Sequence, residues 1–224
     1  MFDLISNIIC VSSCKGGVGK STFAVNLAFE ISESNCKVGI VDLDIYGPSF
    51  GTLLPLNKSK IPGLIKAKQV GNDGTTKLVP VYYNNVAIMS TAFLLNDNQF
   101  LGYRGPMAEA LAMELITRTD WGELDYLIVD LPPGTGDVNI TVIENLPVTA
   151  VIIISTPSLL AFEDVKRGIE FFEKHNVNII AIIENMTLEI SDYEHNANED
   201  ILPIIEKLGQ SKLLILLNNK AIEE

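Results

Sequence analysis

The run Ser13-Cys14-Lys15-Gly16-Gly17-Val18-Gly19-Lys20-Ser21-Thr22 has the residue types and spacing of a phosphate-binding loop. It follows an apolar, strand-like stretch at residues 8–11 and opens a helix-like stretch at 23–29. A strand, a Gly-rich turn and a helix N-terminus aim several backbone N–H groups at one point, which suits a polyphosphate. The backbone of Gly16, Gly17, Val18 and Gly19, with Thr22 after it, is expected to cradle the phosphates. Lys20 is placed to reach the β- and γ-phosphates, and the Ser21 hydroxyl to take a place on Mg²⁺. The common pattern has Gly at position 14. Here Cys14 stands there, with a second lysine, Lys15, beside it.

Three further segments carry polar residues at the ends of apolar runs. In Val41-Asp42-Leu43-Asp44 the first carboxylate is expected near the loop and the Mg²⁺ shell. The second, Asp44, is placed to orient a water for in-line attack, chemistry that needs positioning more than covalent catalysis. An Asp that caps the next turn is the competing reading of Asp44. The run Leu127-Ile128-Val129-Asp130 reads as a Walker B strand whose Asp130 holds Mg²⁺ directly or through water. The Pro132-Pro133-Gly134-Thr135-Gly136 after it suits a switch loop that senses the terminal phosphate. Asn185, after Ile182-Ile183-Glu184, has an amide that matches the N6/N7 edge of adenine, although an ordinary turn Asn reads equally well. Together these segments point to ATP with Mg²⁺.

The elements that position these residues follow from the patterning. Apolar runs at 8–11, 37–41, 85–89, 126–129, 149–154 and 179–183, with a further one at 213–217, lack clean alternation. Strands covered on both faces read this way. Helix-like segments lie between them at 21–32, 106–118, 138–145, 159–174 and 198–208. Strand and helix in alternation predict an α/β, doubly wound, mostly parallel sheet with helices on both faces, the P-loop NTPase architecture. The 224 residues suit one domain, with an excursion of loops and a hairpin at about 54–83. An acidic stretch at 189–200 reads as a solvated loop, and His195 within it as a surface residue.

Composition narrows the partners. The net charge of −12 and pI of about 4.6 argue against non-specific binding to nucleic acid or anionic membrane. The last residues read as a strand and an acidic end, not a basic amphipathic anchor. Cys10, Cys14 and Cys36 form no C-x-x-C pair and no disulfide framework, so a reducing, cytoplasmic setting is expected. An organelle is the alternative if a targeting segment has been removed.

In order and spacing these motifs resemble the deviant-Walker-A ATPases of the Mrp/ApbC family, nucleotide-dependent iron–sulfur cluster carriers and scaffolds. The resemblance lies in residues 15–22, 42–49 (DLDIYGPS), Arg104-Gly105-Pro106-Met107, 121–137 (WGELDYLIVDLPPGTGD), Thr156-Pro157 and Glu184-Asn185-Met186. It extends from about residue 8 to about 187 and looks most like the plastid-type branch. The resemblance implies that Lys15 reaches across a homodimer to the partner's phosphates. It implies that Lys20 acts in cis, Ser21 and Asp130 serve Mg²⁺, Asp44 orients water and Asn185 contacts adenine. ATP then closes two subunits, and a [4Fe–4S] cluster bridging them is passed to apo iron–sulfur client proteins. Many members hold the cluster with a C-P-x-C pair after Glu-Asn-Met, but this chain reads Thr187-Leu188-Glu189-Ile190 there. The cluster ligands are therefore open: Cys10 reads as core, Cys36 as a structural thiol and Cys14 as part of the loop. Fuller members of the branch carry extra domains, so this chain is expected to be a central domain or a reduced protein. A ParA- or MinD-like positioning ATPase and a non-catalytic nucleotide-binding regulator are the alternatives. An electron-donating reductase iron protein would need cluster cysteines after the switch segments.

Overall fold

The computed structural model describes residues 2–54, 67–69, 76–93, 105–157, 159–187 and 213–218. The expected helix at 198–208, the acidic stretch at 189–200, His195 and Arg104 lie outside the described residues.

A central strand β1 (Ile5–Ser12) pairs in parallel with β7 (Leu124–Asp130) on one side and β8 (Ala150–Ser155) on the other. Outward from β7 come β2 (Val38–Asp42), β6 (Val86–Ser90) and β5 (Val81–Tyr83). Outward from β8 come β9 (Ile179–Thr187) and β10 (Leu213–Asn218). Among the described residues every pairing of this sheet is parallel except the edge pair β5–β6. The parallel strands match the apolar runs to within a few residues. The short edge strand β5 was not expected. A separate hairpin of β3 (Ala67–Gln69) and β4 (Thr76–Leu78) falls within the excursion at 54–83.

The sheet is covered on both faces. Helix α1 (Lys20–Glu33) turns Ala24, Val25 and Ala28 onto one face, against Val11, Ile40 and Ile128. On the same side the single turn α2 (Phe50–Leu53) buries Phe50. Helices α3 (Gly105–Thr117), α4 (Asp137–Asn145) and α5 (Leu159–Lys174) cover the other face. In α5, Val165, Ile169 and Phe172 are buried at intervals of four and three, while Lys166, Arg167, Glu170 and Glu173 face solvent. That stripe is what packs an amphipathic helix on a sheet. Among the described residues no helix is long and apolar enough to cross a membrane.

The chain leaves β1 toward one flank through α1 and β2, and returns to the other flank with β8. The carboxyl end of β1 is thus where strand order reverses, the place where such sheets open a crevice for ligands.

Candidate functional site

The turn between β1 and α1 forms the floor of a cavity of about 460 Å³. Gly16, Gly17, Gly19, Lys20, Ser21 and Thr22 line it from the loop side. Asp44 and Ser49 face them from the segment after β2, and Pro133 and Met186 close the remaining sides. Helix α1 starts without a side-chain cap, so its first N–H groups are open to the cavity. Gly19 has φ +83°, and the amide of Asn185 occupies the place where a Cβ would stand. Only glycine fits there.

Below the loop lies a buried polar layer. Lys20 Nζ pairs with Asp130 Oδ1 at 2.5 Å and lies 3.4 Å from Ser21 Oγ. Lys20 is 6% exposed and Asp130 wholly buried. Burial pushes the Asp130 carboxyl above its usual range, and the Lys20 ammonium with the Ser21 hydroxyl beside it pulls the other way. The second oxygen, Asp130 Oδ2, is buried with no hydrogen-bond partner among the described residues. Carboxylate and hydroxyl oxygens together are the hard donors that Mg²⁺ takes, and an orphaned buried carboxylate oxygen fits such an ion. Ser21 and Asp130 are the residues that fit it.

Asp42 pairs across the sheet with Asp130 but is engaged differently. It accepts from the backbone N–H of Asp44 at 3.0 Å, Ser49 at 2.9 Å and Phe50 at 3.4 Å, and from the Ser90 hydroxyl at 3.1 Å. Burial first, and the Asp130 carboxylate second, push its carboxyl up to about 7, against the pull of those donors. Its oxygens are occupied in holding the segment from Asp44 to Phe50 in shape, a different task from the Mg²⁺ contact expected of it. Asp44 lines the cavity and also accepts the Gly47 N–H at 3.1 Å. Both readings of that residue, turn cap and site residue, therefore describe its position.

Asn185, at the end of β9, donates from Nδ2 to the Val18 carbonyl at 2.9 Å. Its Oδ1 is buried and has no hydrogen-bond partner among the described residues. Val18 itself is buried, and Met186 follows at φ +61°. Lys15 is exposed on the rim and makes no ion pair among the described residues. Cys14 packs on α5 where Gly168 leaves room: a Cβ there would stand 2.5 Å from Cys14 Sγ. Burial, and then the Asp164 carboxylate, push the Cys14 thiol up to about 11.

Two contributors were missed. Ser90 ends β6 and reaches the first carboxylate. Asn139, in the first turn of α4, holds the loop after Asp130. The strand-end rule could have flagged Ser90. A polar residue on the apolar face of α4 could have flagged Asn139. Among the described residues no group of three or more His, Cys, Asp or Glu is arranged to hold a metal.

The family model described as ParA, NUBPL iron-transfer P-loop NTPase, matches residues 4–213. The chain is 41% identical over 186 residues to an iron–sulfur cluster carrier protein of Pseudomonas fragi, covering 83% of this chain and 62% of that one. It is 44% identical over 183 residues to the chloroplastic Fe–S cluster assembly factor HCF101 of Oryza sativa, covering 81% of this chain and 32% of that protein. The chain therefore spans only part of the curated relatives it matches. A nucleotide-binding protein from Archaeoglobus fulgidus, solved in complex with ADP, superposes with a TM-score of 0.75 at 30% identity, covering 99% of this chain and 86% of that one.

Proposed function

Because the chain belongs to the NUBPL iron-transfer branch of the ParA-type P-loop NTPases, we propose that it is an ATPase that carries iron–sulfur clusters to client proteins. The nucleotide half of this reading rests on one observation: the buried Lys20–Asp130 pair under a Gly-rich cavity that Asp44 faces. The cluster half rests on the family. The relatives named as iron–sulfur carriers and assembly factors support it.

The residues divide the work as follows. N–H groups of the loop and the first turn of α1 bind the phosphates of ATP. Lys20 turns from Asp130 to the phosphates, and its charge offsets the negative charge that spreads over them during transfer. Ser21 and Asp130 would hold Mg²⁺, which would supply positive charge to offset that of the phosphates. Asp44 orients the attacking water, with Asp42 and Ser90 holding its segment in place through the N–H groups of Asp44, Ser49 and Phe50. Asn185 faces the base. Lys15 on the rim reaches the phosphates bound by a second copy, so ATP favours a closed pair.

The cluster is cargo. Cys10 is buried with its thiol pushed up to about 12, and Cys14 is packed on α5, so neither offers a ready thiolate. Cys36 precedes β2 and lies at the opposite end of the sheet from the cavity. We therefore assign no cluster ligand to Cys10 or Cys14, which leaves Cys36 as the candidate thiolate.

The test is anaerobic cluster reconstitution with and without Mg·ATP, together with hydrolysis assays of the parent and Asp44→Ala. The reading expects about four irons per pair of chains and transfer to an apo client. It expects Asp44→Ala to bind ATP and to lose turnover on the order of 10²-fold. Hydrolysis without a stable or transferable cluster would remove the carrier role and leave an ATPase. Parent-like turnover in Asp44→Ala would remove the role given to that residue.

A further inference from the structure

The loop between β7 and α4, residues 131–136, is held from two sides. Toward the phosphate-binding loop, the Gly134 N–H donates to the Ser13 carbonyl at 2.7 Å. Toward α4, Asn139 Nδ2 donates to the Pro132 carbonyl at 3.1 Å and to the Gly134 carbonyl at 2.6 Å. Asn139 is 1% exposed and shares its helix face with Val138, Val142 and Ile143.

Burying an amide is costly unless all its polar atoms are paired. The nitrogen of Asn139 is paired, but Oδ1 has no hydrogen-bond partner among the described residues. A leucine would cover the same helix face without that cost, so packing alone does not account for the amide. Nearby, the backbone N–H groups of Thr135 and Gly136 make no backbone hydrogen bond among the described residues. The positions where Gly134 and Gly136 would carry a Cβ open onto free space, and Gly134 has φ +89°. A buried acceptor without a donor thus sits at the start of α4, and the exposed loop before it carries N–H groups that no described residue accepts, on a segment with room to shift.

We propose that Asn139 is the positioning residue of this loop and gives it two arrangements. In the one seen here, the amide nitrogen holds Pro132 and Gly134 while Ser13 holds Gly134. In the other, Oδ1 accepts a loop N–H, from Thr135 or Gly136, as the loop closes on a terminal phosphate. Two discrete hydrogen-bond patterns on one side chain make the loop bistable, and a ligand shifts it by binding one arrangement better. This rests on the nucleotide reading above.

The experiment compares ADP with a non-hydrolysable ATP analogue, both with Mg²⁺, on the whole chain. Hydrogen–deuterium exchange reads residues 131–137 and calorimetry reads affinity. In the parent, the analogue is expected to slow exchange at 131–137 more than ADP does. In Asn139→Leu, the preference for the analogue over ADP is expected to fall about tenfold, or ~1.4 kcal/mol, with ADP affinity held within about twofold. Asn139→Asp keeps the acceptors and loses the donor, so its preference is expected to stay or rise. A merely structural role would lower the melting temperature of both variants and move the ratio the same way in both. Equal exchange with the two nucleotides in the parent overturns the proposal, as does a folded Asn139→Leu that keeps the parent's ratio. If Asn139→Leu does not fold, the parent's exchange and Asn139→Asp still decide. A parent that binds neither nucleotide overturns the nucleotide reading itself, and this proposal with it.

Discussion

Cys14 holds the position that is glycine in the common phosphate-binding loop, and its surroundings explain both its fit and its chemistry. The thiol lies against Gly168, half-buried, with the Asp164 carboxylate near and its pKa pushed up to about 11. Only the thiolate is a good nucleophile. The rate of alkylation at Cys14 should therefore keep rising as pH passes the ordinary thiol range of about 8.5. Site-resolved mass spectrometry after iodoacetamide pulses across the pH range checks this, and a plateau near the ordinary range would contradict the burial described. Much of the site was legible residue by residue. Spacing pointed to Lys20, Ser21 and Asp44, which the fold brings to one cavity, and to Asp130 beneath them, while a turn amide read equally well for Asn185 and a turn cap competed for Asp44. What spacing could not supply was who touches whom. Lys20 and Asp130 stand far apart in sequence, so their ion pair exists only after β1 and β7 lie side by side. Asp42 was expected at the Mg²⁺ shell, and only the fold shows its carboxylate filled by Ser90 and three backbone N–H groups.

At the scale of elements, α5 comes close against the phosphate-binding loop. Gly168 lets the helix come down onto Cys14. In Gly168→Ala the new Cβ would stand 2.5 Å from Cys14 Sγ, so helix or loop must give way. Overpacking of this kind costs about 1–3 kcal/mol, some of it felt as a displaced loop. Nucleotide affinity is expected to fall about tenfold in Gly168→Ala and to recover in the double variant with Cys14→Ala, which removes the sulfur. Calorimetric titration of the two variants tests the pair, and failure of the double variant to recover would place the strain elsewhere. The elements themselves were easier to read than their contacts. Strands buried on both faces, such as Val38–Asp42, announce themselves as unbroken apolar runs. The edge strand Val81–Tyr83 escaped because three residues, one of them exposed, carry no period.

For the whole molecule, charge and symmetry oppose each other. A chain of net charge −12 meeting its own copy must overcome like-charge repulsion that salt screens. Lys15, exposed on the cavity rim, is the cation that the proposed pair would place against the other copy's phosphates. Sedimentation with a non-hydrolysable ATP analogue is expected to show a dimer for the parent, and a monomer that still binds the analogue for Lys15→Ala. A parent that stays monomeric with the analogue bound would remove the rim lysine's role. Added salt is expected to help the parent associate, until it also screens Lys15 from the phosphates.

The register of β1 has a temporal consequence. Its partners are Leu124–Asp130 and Ala150–Ser155, so β1 leaves the ribosome well before either neighbour and stays unpaired until they follow. Until then the Gly-rich turn has no sheet to spring from, and a nascent chain has no pocket to fill. Long-range parallel pairing also closes slowly compared with local helix contacts. Stopped-flow refolding of this chain is expected to be slower than that of a helical bundle of similar length, and the ability to bind nucleotide should return only in the last phase.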